Sequence, residues 1–194
     1  TSHNTPSRVL VEVCEEQGIL LDEEIFDGWT DAKNGNSFDY ARFFNKKVGD
    51  SKIIGAKSDQ VWAEFDLKVI MWSVGNEMIT GGTKPFDETA QLNLIKWTKE
   101  ADPSRPVTLG DNQLKSGSWN YHPGNLANAG GLIGINYAGG NMYDQLHANN
   151  PSWKFYGSET VSSVNSRGVY NTLGSMADAG GHQLTSYDTS YVCW

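Results

Sequence analysis

Two glutamates follow apolar segments of the chain and could act as a catalytic pair. Glu77 comes shortly after the run Val69–Val74, and Glu159 comes shortly after Trp153–Tyr156. Two carboxyl groups that flank an anomeric carbon can cleave a glycosidic bond, one by protonating the leaving oxygen and the other by attacking the sugar. A Glu at the end of a strand is more often a solvated loop residue, so spacing alone is a weak signal for this chemistry.

The segments before these glutamates belong to a repeated pattern of apolar strands and helices. Five apolar runs are predicted as strands: Ile19–Leu21, Val69–Val74, Val107–Leu109, Leu132–Tyr137 and Trp153–Tyr156. Such strands alternating with helices are typical of a parallel sheet covered on both faces, which a doubly wound sheet and a closed barrel both satisfy. Polar residues at the strand ends favour a (β/α)8 barrel, which builds its site from the carboxyl ends of several strands. These residues are Asp22-Glu23, Asn76-Glu77, Asn136-Tyr137 and Ser158-Glu159.

The first helix is predicted directly before the first strand. Thr5 is expected to cap it, with Pro6 in its first turn and Gly18 at its end. Its apolar face is expected to carry Val9, Leu10, Val13 and Cys14. Cys14 is therefore interpreted as a buried free thiol.

Two later helices and one irregular junction follow from the same reasoning. Asp87 is expected to open a helix, and a short helix is expected near Met142–Ala148. Another helix, Ser58–Leu67, is expected to run into Val69 without a turn residue. Because such connections normally take about two to six residues, we infer that a short segment is missing there.

Composition and charge exclude several classes of protein. The 194 residues carry a formal net charge of -8, which argues against a nucleic-acid partner and disfavours an anionic membrane surface. Two cysteines provide neither a disulfide framework nor the spacing of metal ligands. There is no apolar run long enough to cross a bilayer, and the first residues do not resemble a signal peptide. Localisation is left open, because the chain is expected to begin inside a longer protein.

Five short segments resemble, in the same order, motifs of the catalytic barrel of glycoside hydrolase family 2. They are Thr1-Ser2-His3-Asn4 (strand two), Leu21–Trp29 (strand three), Trp72–Glu77 (acid/base), Asn136-Tyr137 (strand six) and Tyr156–Thr160 (nucleophile). The tail, Leu184–Asp188, resembles the β-galactosidase branch. The resemblance covers nearly the whole chain. It implies that residues 1–194 are one partial catalytic domain, an incomplete (β/α)8 TIM barrel with about strands 3–7 present.

The resemblance implies a role for each matching residue. Glu77 is expected to be the acid/base and Glu159 the nucleophile, oriented by Tyr137, in a retaining mechanism with a covalent glycosyl-enzyme intermediate. The two carboxyl groups are then expected about 5–5.5 Å apart. Asn76 is expected to donate to the sugar 2-hydroxyl and His3 to bind another hydroxyl.

Asp27 and Trp29 are further candidates for substrate binding. Some β-galactosidases hold magnesium near this point with an acid and a His two residues later, but here Trp29 stands in place of the His. Because magnesium prefers oxygen ligands, no metal site is expected, and no cofactor either. Trp29 is interpreted either as an apolar wall of the sugar site or as packing at the barrel mouth. The other histidines (His122, His147 and His182) are interpreted as surface or structural residues.

The resemblance leaves several possibilities for function. The first is hydrolysis of terminal β-D-galactosides, with β-glucuronidase and β-mannosidase as alternatives. A second class is a catalytically inactive fragment that binds carbohydrate or only packs against missing parts. Barrel strands one and eight and the β-sandwich domains of the family are expected to be missing partners. The isolated chain is therefore expected to have weak catalytic activity or none. It is also expected to self-associate into homo-oligomers through its open sheet edges.

Overall fold

One parallel sheet carries all the strands of the described residues. The computed structural model describes residues 6–25, 27–29, 69–78, 86–114, 122–138 and 141–159. The strands are β1 (Leu21–Glu24), β2 (Val69–Asn76), β3 (Val107–Asp111), β4 (Leu132–Asn136) and β5 (Phe155–Glu159). The helices are α1 (Arg8–Gln17), α2 (Glu88–Ala101), α3 (Pro123–Asn128) and α4 (Met142–Asn149). The strand order is β1-β2-β3-β4-β5, and every pairing is parallel.

The sheet is curled, as hydrogen bonds across its concave face show. Tyr156 of β5 donates its hydroxyl proton to Asp22 Oδ2 of β1 at 2.8 Å, although these are the two outer strands. Thr108 of β3 donates to the same Tyr156 oxygen at 3.3 Å. A flat sheet would hold β1 and β5 about four strand spacings apart, roughly 19 Å. The arrangement is part of a (β/α)8 barrel, which confirms the predicted fold.

Helices α2 and α3 pack on this sheet and complete its core. Helix α2 contacts β2 and β3, and α3 contacts β3 and β4. The fully buried aliphatic side chains at these contacts include Leu94, Leu109, Leu126, Ile133 and Ile135. As predicted, Asp87 caps α2, and its carboxylate accepts a hydrogen bond from the Ala90 amide at 2.9 Å. No helix among the described residues is long and apolar enough to span a membrane.

Helix α1 differs from its prediction at its start and in its buried face. Ser7 is the N-cap and accepts from the Leu10 amide at 3.3 Å, so Pro6 precedes the helix instead of lying in its first turn. Val11 and the free thiol of Cys14 are buried. The other members of the predicted face, Val9, Leu10 and Val13, are exposed. The sequence offers two apolar stripes, and packing against the sheet selects the one with Val11 and Cys14.

Two strands lie further along the chain than predicted. β1 begins only at Leu21, after the exposed residues Ile19 and Leu20, so the acidic residues 22–24 lie within the strand. β5 extends to Glu159. Helix α3, a short segment rich in Asn and Gly, was not predicted. The prediction that Thr5 caps α1 is wrong, because Ser7 is the N-cap. Other predictions fall outside the described residues: the helix at 58–67 with its junction to the strand, and the surface role of His182.

Candidate active site

Two strands end in the same unusual backbone conformation at the carboxyl edge of the sheet. Glu77 follows β2 with φ 45°, and Tyr137 follows β4 with φ 58°. Residues other than glycine rarely adopt this left-handed region, and where they do so the strain often lies at a functional site. A positive φ also interrupts the alternation of side chains along a strand. Consecutive side chains, such as Asn136 and Tyr137, can then both point towards the same edge.

Tyr137 holds Glu159 through its side chain and its backbone. Its hydroxyl donates a hydrogen bond to Glu159 Oε2. Its amide donates to the Glu159 carbonyl at 2.6 Å. Glu159 is therefore anchored at the end of β5 by the residue that follows β4.

Asn136 connects the other glutamate to the same edge. It is fully buried, and its Nδ2 lies 3.0 Å from Glu77 Oε1 and 2.9 Å from Asn76 Oδ1. Its Oδ1 accepts from the hydroxyl of Ser158 at 2.5 Å. The Glu77 amide donates to the Gly110 carbonyl at 2.8 Å, which ties the end of β2 to β3. Two consecutive residues, Asn136 and Tyr137, thus contact one glutamate each.

A cavity of about 310 Å³ opens beside these residues on the concave face of the sheet. The described residues that line it are Asp22, Glu24, Ser73, Asn76, Gly110, Tyr156, Ser158 and Glu159. Glu24 is buried and accepts from the Ser73 hydroxyl at 2.9 Å. The lining is therefore polar and hydrogen-bonded, as expected of a site that binds hydroxyl groups.

Burial shapes the ionisation of the groups at the base of this cavity. It raises the pKa of the Asp22 carboxyl, although the hydrogen bond from Tyr156 acts in the opposite direction. It also raises the pKa of the Tyr156 hydroxyl, and the negative charge of Asp22 raises it further. Tyr156 is therefore a neutral donor that bridges β5 and β1.

The predicted site residues do not all lie at the cavity. Asn76 lines it, with Glu77 next in the chain. Asp27 contributes its carbonyl, which accepts from the Asn76 amide at 3.2 Å. Trp29 is 1% exposed, donates to the Val74 carbonyl at 2.7 Å and packs on Phe86, which favours packing over a sugar-contacting wall. His3 lies outside the described residues.

Two of the remaining histidines, His122 and His147, lie at the surface. His122 lies 3.4 Å from Glu88, with about half of each side chain exposed, and His147 is exposed. In the part of the chain that the structure describes, no three His, Cys, Asp or Glu side chains are grouped to hold a metal ion.

The sequence placed Asp22 and Ser158 among the polar strand ends but gave them no role, and Glu24, Ser73 and Tyr156 were missed as residues of the site. Asp22 and Glu24 are two apart, so within a strand they share a face. The prediction ended the strand before them and hid this signal. Tyr156 and Ser158 show the same spacing in β5, but only the curl of the sheet brings Tyr156 to Asp22.

The fold places this chain among the (β/α)8 barrel proteins, and comparison with known families identifies the family. The model of the TIM barrel domain of the glycosyl hydrolases of family 2 matches residues 1–127, about two thirds of the chain. The chain therefore belongs to glycosyl hydrolase family 2, which confirms the resemblance of its motifs.

Two curated relatives differ in the activity that their names state. A β-galactosidase of Bacteroides ovatus is 28% identical over 210 residues, which cover 87% of this chain and 22% of the relative. A putative β-glucuronidase of Formosa agariphila is 25% identical over 120 residues, covering 56% of this chain and 9% of the relative. The chain thus spans about a fifth of the length of the β-galactosidase.

Solved structures agree on the fold. An FMN-binding β-glucuronidase from Facaelibacterium prausnitzii is 18% identical with a TM-score of 0.61, covering 98% of this chain and 27% of that one. A β-galacturonidase from Eisenbergiella tayi is 16% identical with a TM-score of 0.56, covering 86% and 29%. At these identities the likeness concerns the fold alone.

Proposed function

We propose that this chain is part of the catalytic domain of a retaining β-glycosidase that cleaves terminal β-D-galactosides. One observation carries the proposal: Asn136 and Tyr137, consecutive residues at the end of β4, are hydrogen-bonded to Glu77 and Glu159 respectively. A pair of carboxyl groups at the carboxyl edge of a barrel sheet is the arrangement that glycoside hydrolysis requires. Residues 1–194 then form one partial barrel domain.

The chemistry divides into two displacements at the anomeric carbon. Ionised Glu159 attacks that carbon while Glu77 gives its proton to the leaving oxygen, so the glycosidic bond breaks and an ester to Glu159 forms. Glu77, now ionised, takes a proton from water, and the resulting hydroxide attacks the same carbon and releases Glu159. Two inversions retain the anomeric configuration. The Tyr137 hydroxyl keeps the attacking carboxylate in line.

The charge of the cavity favours a neutral sugar. Asp22, Glu24 and Glu159 contribute carboxyl groups to its lining, and the described lining residues include no Lys or Arg. A uronate would bring another carboxylate into this space, and like charges at close range repel. A galactoside offers hydroxyl groups, and the carboxylates of Asp22 and Glu24 can accept hydrogen bonds from them.

A β-glucuronidase is the second candidate. The Formosa agariphila relative and several solved structures of similar fold carry that name. This candidate requires a cationic group that neutralises the uronate. β-Mannosidase was an alternative from the motifs, and no feature of the described residues favours it. Glu77 and Glu159 with their hydrogen-bond partners argue against a fragment that only binds carbohydrate.

The test compares substrates with one leaving group. The protein encoded by the full reading frame should be assayed with the 4-nitrophenyl β-D-galactoside, β-D-glucuronide and β-D-mannoside. We expect the galactoside to have the highest kcat/KM. A higher value for the glucuronide would reject the galactoside proposal in favour of the second candidate. The substitution Glu24→Gln removes one carboxylate. It should therefore reduce the difference in kcat/KM between the galactoside and the glucuronide.

The mechanism has its own test in the same protein. NMR of the first product released should show the β-anomer, and incubation with a 2-deoxy-2-fluoro-galactoside should attach the sugar to the peptide that contains Glu159. Initial release of the α-anomer, or labelling of another peptide, would exclude the proposed roles.

A further inference from the structure

We propose that Asn136 is a positioning residue that determines which oxygen of Glu77 carries the catalytic proton, and that Ser158 orients Asn136 for this task. The inference rests on the proposed function and adds two residues to its machinery. Neither touches the reacting atoms. Both act through Glu77.

The first step is the direction of the hydrogen bond to Glu77. An amide nitrogen donates and does not accept. With Asn136 Nδ2 at 3.0 Å, Glu77 Oε1 must be the acceptor. When Glu77 is protonated, its proton must therefore lie on the other oxygen, Oε2. The bond remains favourable when Glu77 is ionised, so it serves both halves of the reaction.

The second step is the orientation of the amide. The reverse orientation would place Asn136 Oδ1 against Asn76 Oδ1 and Glu77 Oε1, so that oxygens would face each other at about 3 Å. In the orientation observed, Oδ1 instead accepts from the Ser158 hydroxyl at 2.5 Å. The amide nitrogen then donates to both oxygens and the amide oxygen accepts from Ser158, within a side chain that is fully buried.

The third step is how β5 brings Ser158 to this position. Along the β4–β5 pairing, Ile135 lies opposite Gly157 and Asn136 lies opposite Glu159, so Ser158 is an extra residue. Such a bulge redirects a side chain, and bulges are frequent beside active sites. Space for the hydroxyl comes from Gly110 and Gly134, where an added Cβ would lie 2.9 Å from the Ser158 oxygen.

The consequence is a division of labour between the two oxygens of Glu77. Oε1 stays anchored to Asn136, while Oε2 gives its proton to the leaving oxygen and later takes one from water. Loss of the anchor frees the carboxyl group to rotate. The step that needs protonation should then slow more than the attack by Glu159.

The experiment measures how the loss of rate depends on the leaving group. In the protein from the full reading frame, Asn136→Ala should lower kcat/KM for phenyl β-galactoside on the order of a hundredfold, the lower range of acid catalysis. For 2,4-dinitrophenyl β-galactoside, whose leaving group needs little protonation, it should fall by about threefold or less. Ser158→Ala should show the same selectivity with a smaller loss, about tenfold for the phenyl substrate. Rates are divided by the fraction of sites that a 2-deoxy-2-fluoro-galactoside labels.

Thr108→Val is the matched control, because Thr108 also bonds across the concave face but reaches Tyr156 instead of Glu77. Its effect should be equal for the two leaving groups. If Asn136→Ala also lowers kcat/KM equally for the phenyl and the 2,4-dinitrophenyl substrates, the inference is wrong while the proposed function stands. If Asn136→Ala labels no sites, Ser158→Ala decides by the same criterion. A wild-type protein without glycosidase activity would overturn the inference and the proposed function together.

Discussion

At both ends of the sheet the chain turns at residues with positive φ, but the type of residue differs between the two ends. At the amino end, the positive φ values of the turns before β1 and β4 belong to glycines, Gly18 and Gly130, both at 72°. At the carboxyl end, the residues that follow β2 and β4 with positive φ are Glu77 and Tyr137. Glycine adopts this conformation without strain, whereas other residues do not. Strained backbone at residues other than glycine thus occurs at the end of the sheet that carries the candidate site.

The amino end is built for cohesion. Asp102, at the end of α2, accepts hydrogen bonds from the Trp72 indole at 2.8 Å and from the Arg105 guanidinium at 2.6 Å. Arg105 also donates to the carbonyl of Val69, the first residue of β2, at 2.5 Å. These contacts fasten the α2–β3 turn to the neighbouring strand. They are the kind of contact that supports a barrel from its amino-terminal face.

Because the two ends differ in this way, we expect substitutions at the carboxyl end to lower activity and substitutions at the amino end to lower stability. The carboxyl end holds buried polar groups and strained backbone, which serve the reaction in the mechanism that we propose. The amino end holds charged hydrogen bonds and relaxed turns.

Glu159→Gln should give the largest loss of activity without loss of stability. No nucleophile remains, so kcat should fall on the order of 10⁴-fold or more, while the free energy of unfolding changes by less than about 0.5 kcal/mol.

Glu77→Gln should leave the first step, formation of the intermediate, unchanged with a 2,4-dinitrophenyl substrate and should slow the second step, its hydrolysis. Azide should then restore turnover to the Glu77 variant, because it attacks the intermediate without a base. An equal response of both variants to azide would contradict the assignment of roles.

The positions of the two glutamates at strand ends could be predicted from sequence, because their motifs are local. Each lies in a short segment that follows an apolar strand, as does Tyr137. The family match over residues 1–127 includes Glu77 and ends before Tyr137 and Glu159. Their support could not be predicted. The reach of Ser158 to Asn136 depends on a bulge, and that of Tyr156 to Asp22 depends on the curl of the sheet. The two-residue spacing of Tyr156 and Ser158 indicates a shared face, but neither the bulge nor the curl leaves a periodic signal in the sequence.

The fold was predictable to a similar depth. Alternating apolar runs and helical patterns indicated five parallel strands in a barrel, and the Asp87 cap marked the start of α2. The buried face of α1 was not predictable, because Val11 and Val13 are equally apolar and only contact with the sheet distinguishes them. The start of β1 shifted for a related reason, since Asp22 and Glu24 face a polar cavity that the hydrophobic pattern does not show.

Tyr137→Phe should reduce activity by roughly 10- to 100-fold, the equivalent of one hydrogen bond to a charged group. The variant keeps the ring and the backbone bond to Glu159 and loses only the hydroxyl contact. Because the strained backbone is unchanged, the free energy of unfolding should be nearly the same as in the wild type. Steady-state kinetics with an aryl β-galactoside should show the loss mainly in kcat. Unchanged kinetics would mean that the hydroxyl does not orient the nucleophile.

Asp102→Asn should have the opposite signature at the amino end. Burial opposes ionisation of Asp102, but hydrogen bonds from Ser104, Trp72 and Arg105 outweigh it and hold its pKa well below the ordinary value. The substitution should cost about 1–2 kcal/mol in the stability of the β2–β3 region and leave kcat per labelled site unchanged. Hydrogen exchange of the strand amides measures this locally. Glu100→Gln, in an ion pair that is more than half exposed, is the control and should cost less than about 0.5 kcal/mol.

The pH dependence of this difference follows from the direction of the pKa shift. A carboxyl whose pKa is lowered in the folded state stabilises the fold above its unfolded pKa, about 3.9. The advantage of the wild type over Asp102→Asn should therefore be constant near neutral pH. It should shrink as the pH falls below about 4 towards the folded pKa of Asp102. An advantage that grew on acidification would contradict the proposed charge interaction.

Gly18→Ala and Gly130→Ala should give the smallest effects and test the contrast most directly. Both glycines have φ 72°, and an added Cβ would meet no atom within 4 Å at either position. The cost should thus be purely that of the left-handed backbone, about 1 kcal/mol in each case, with no change in kcat. Gly124→Ala is the matched control, because Gly124 lies within α3 and its added Cβ would only touch Trp153 at 3.7 Å. It should be neutral or stabilise by up to about 1 kcal/mol. Hydrogen exchange of β1 and β4 should report the two losses, and losses equal to the change at Gly124 would show that the backbone conformation is not their cause.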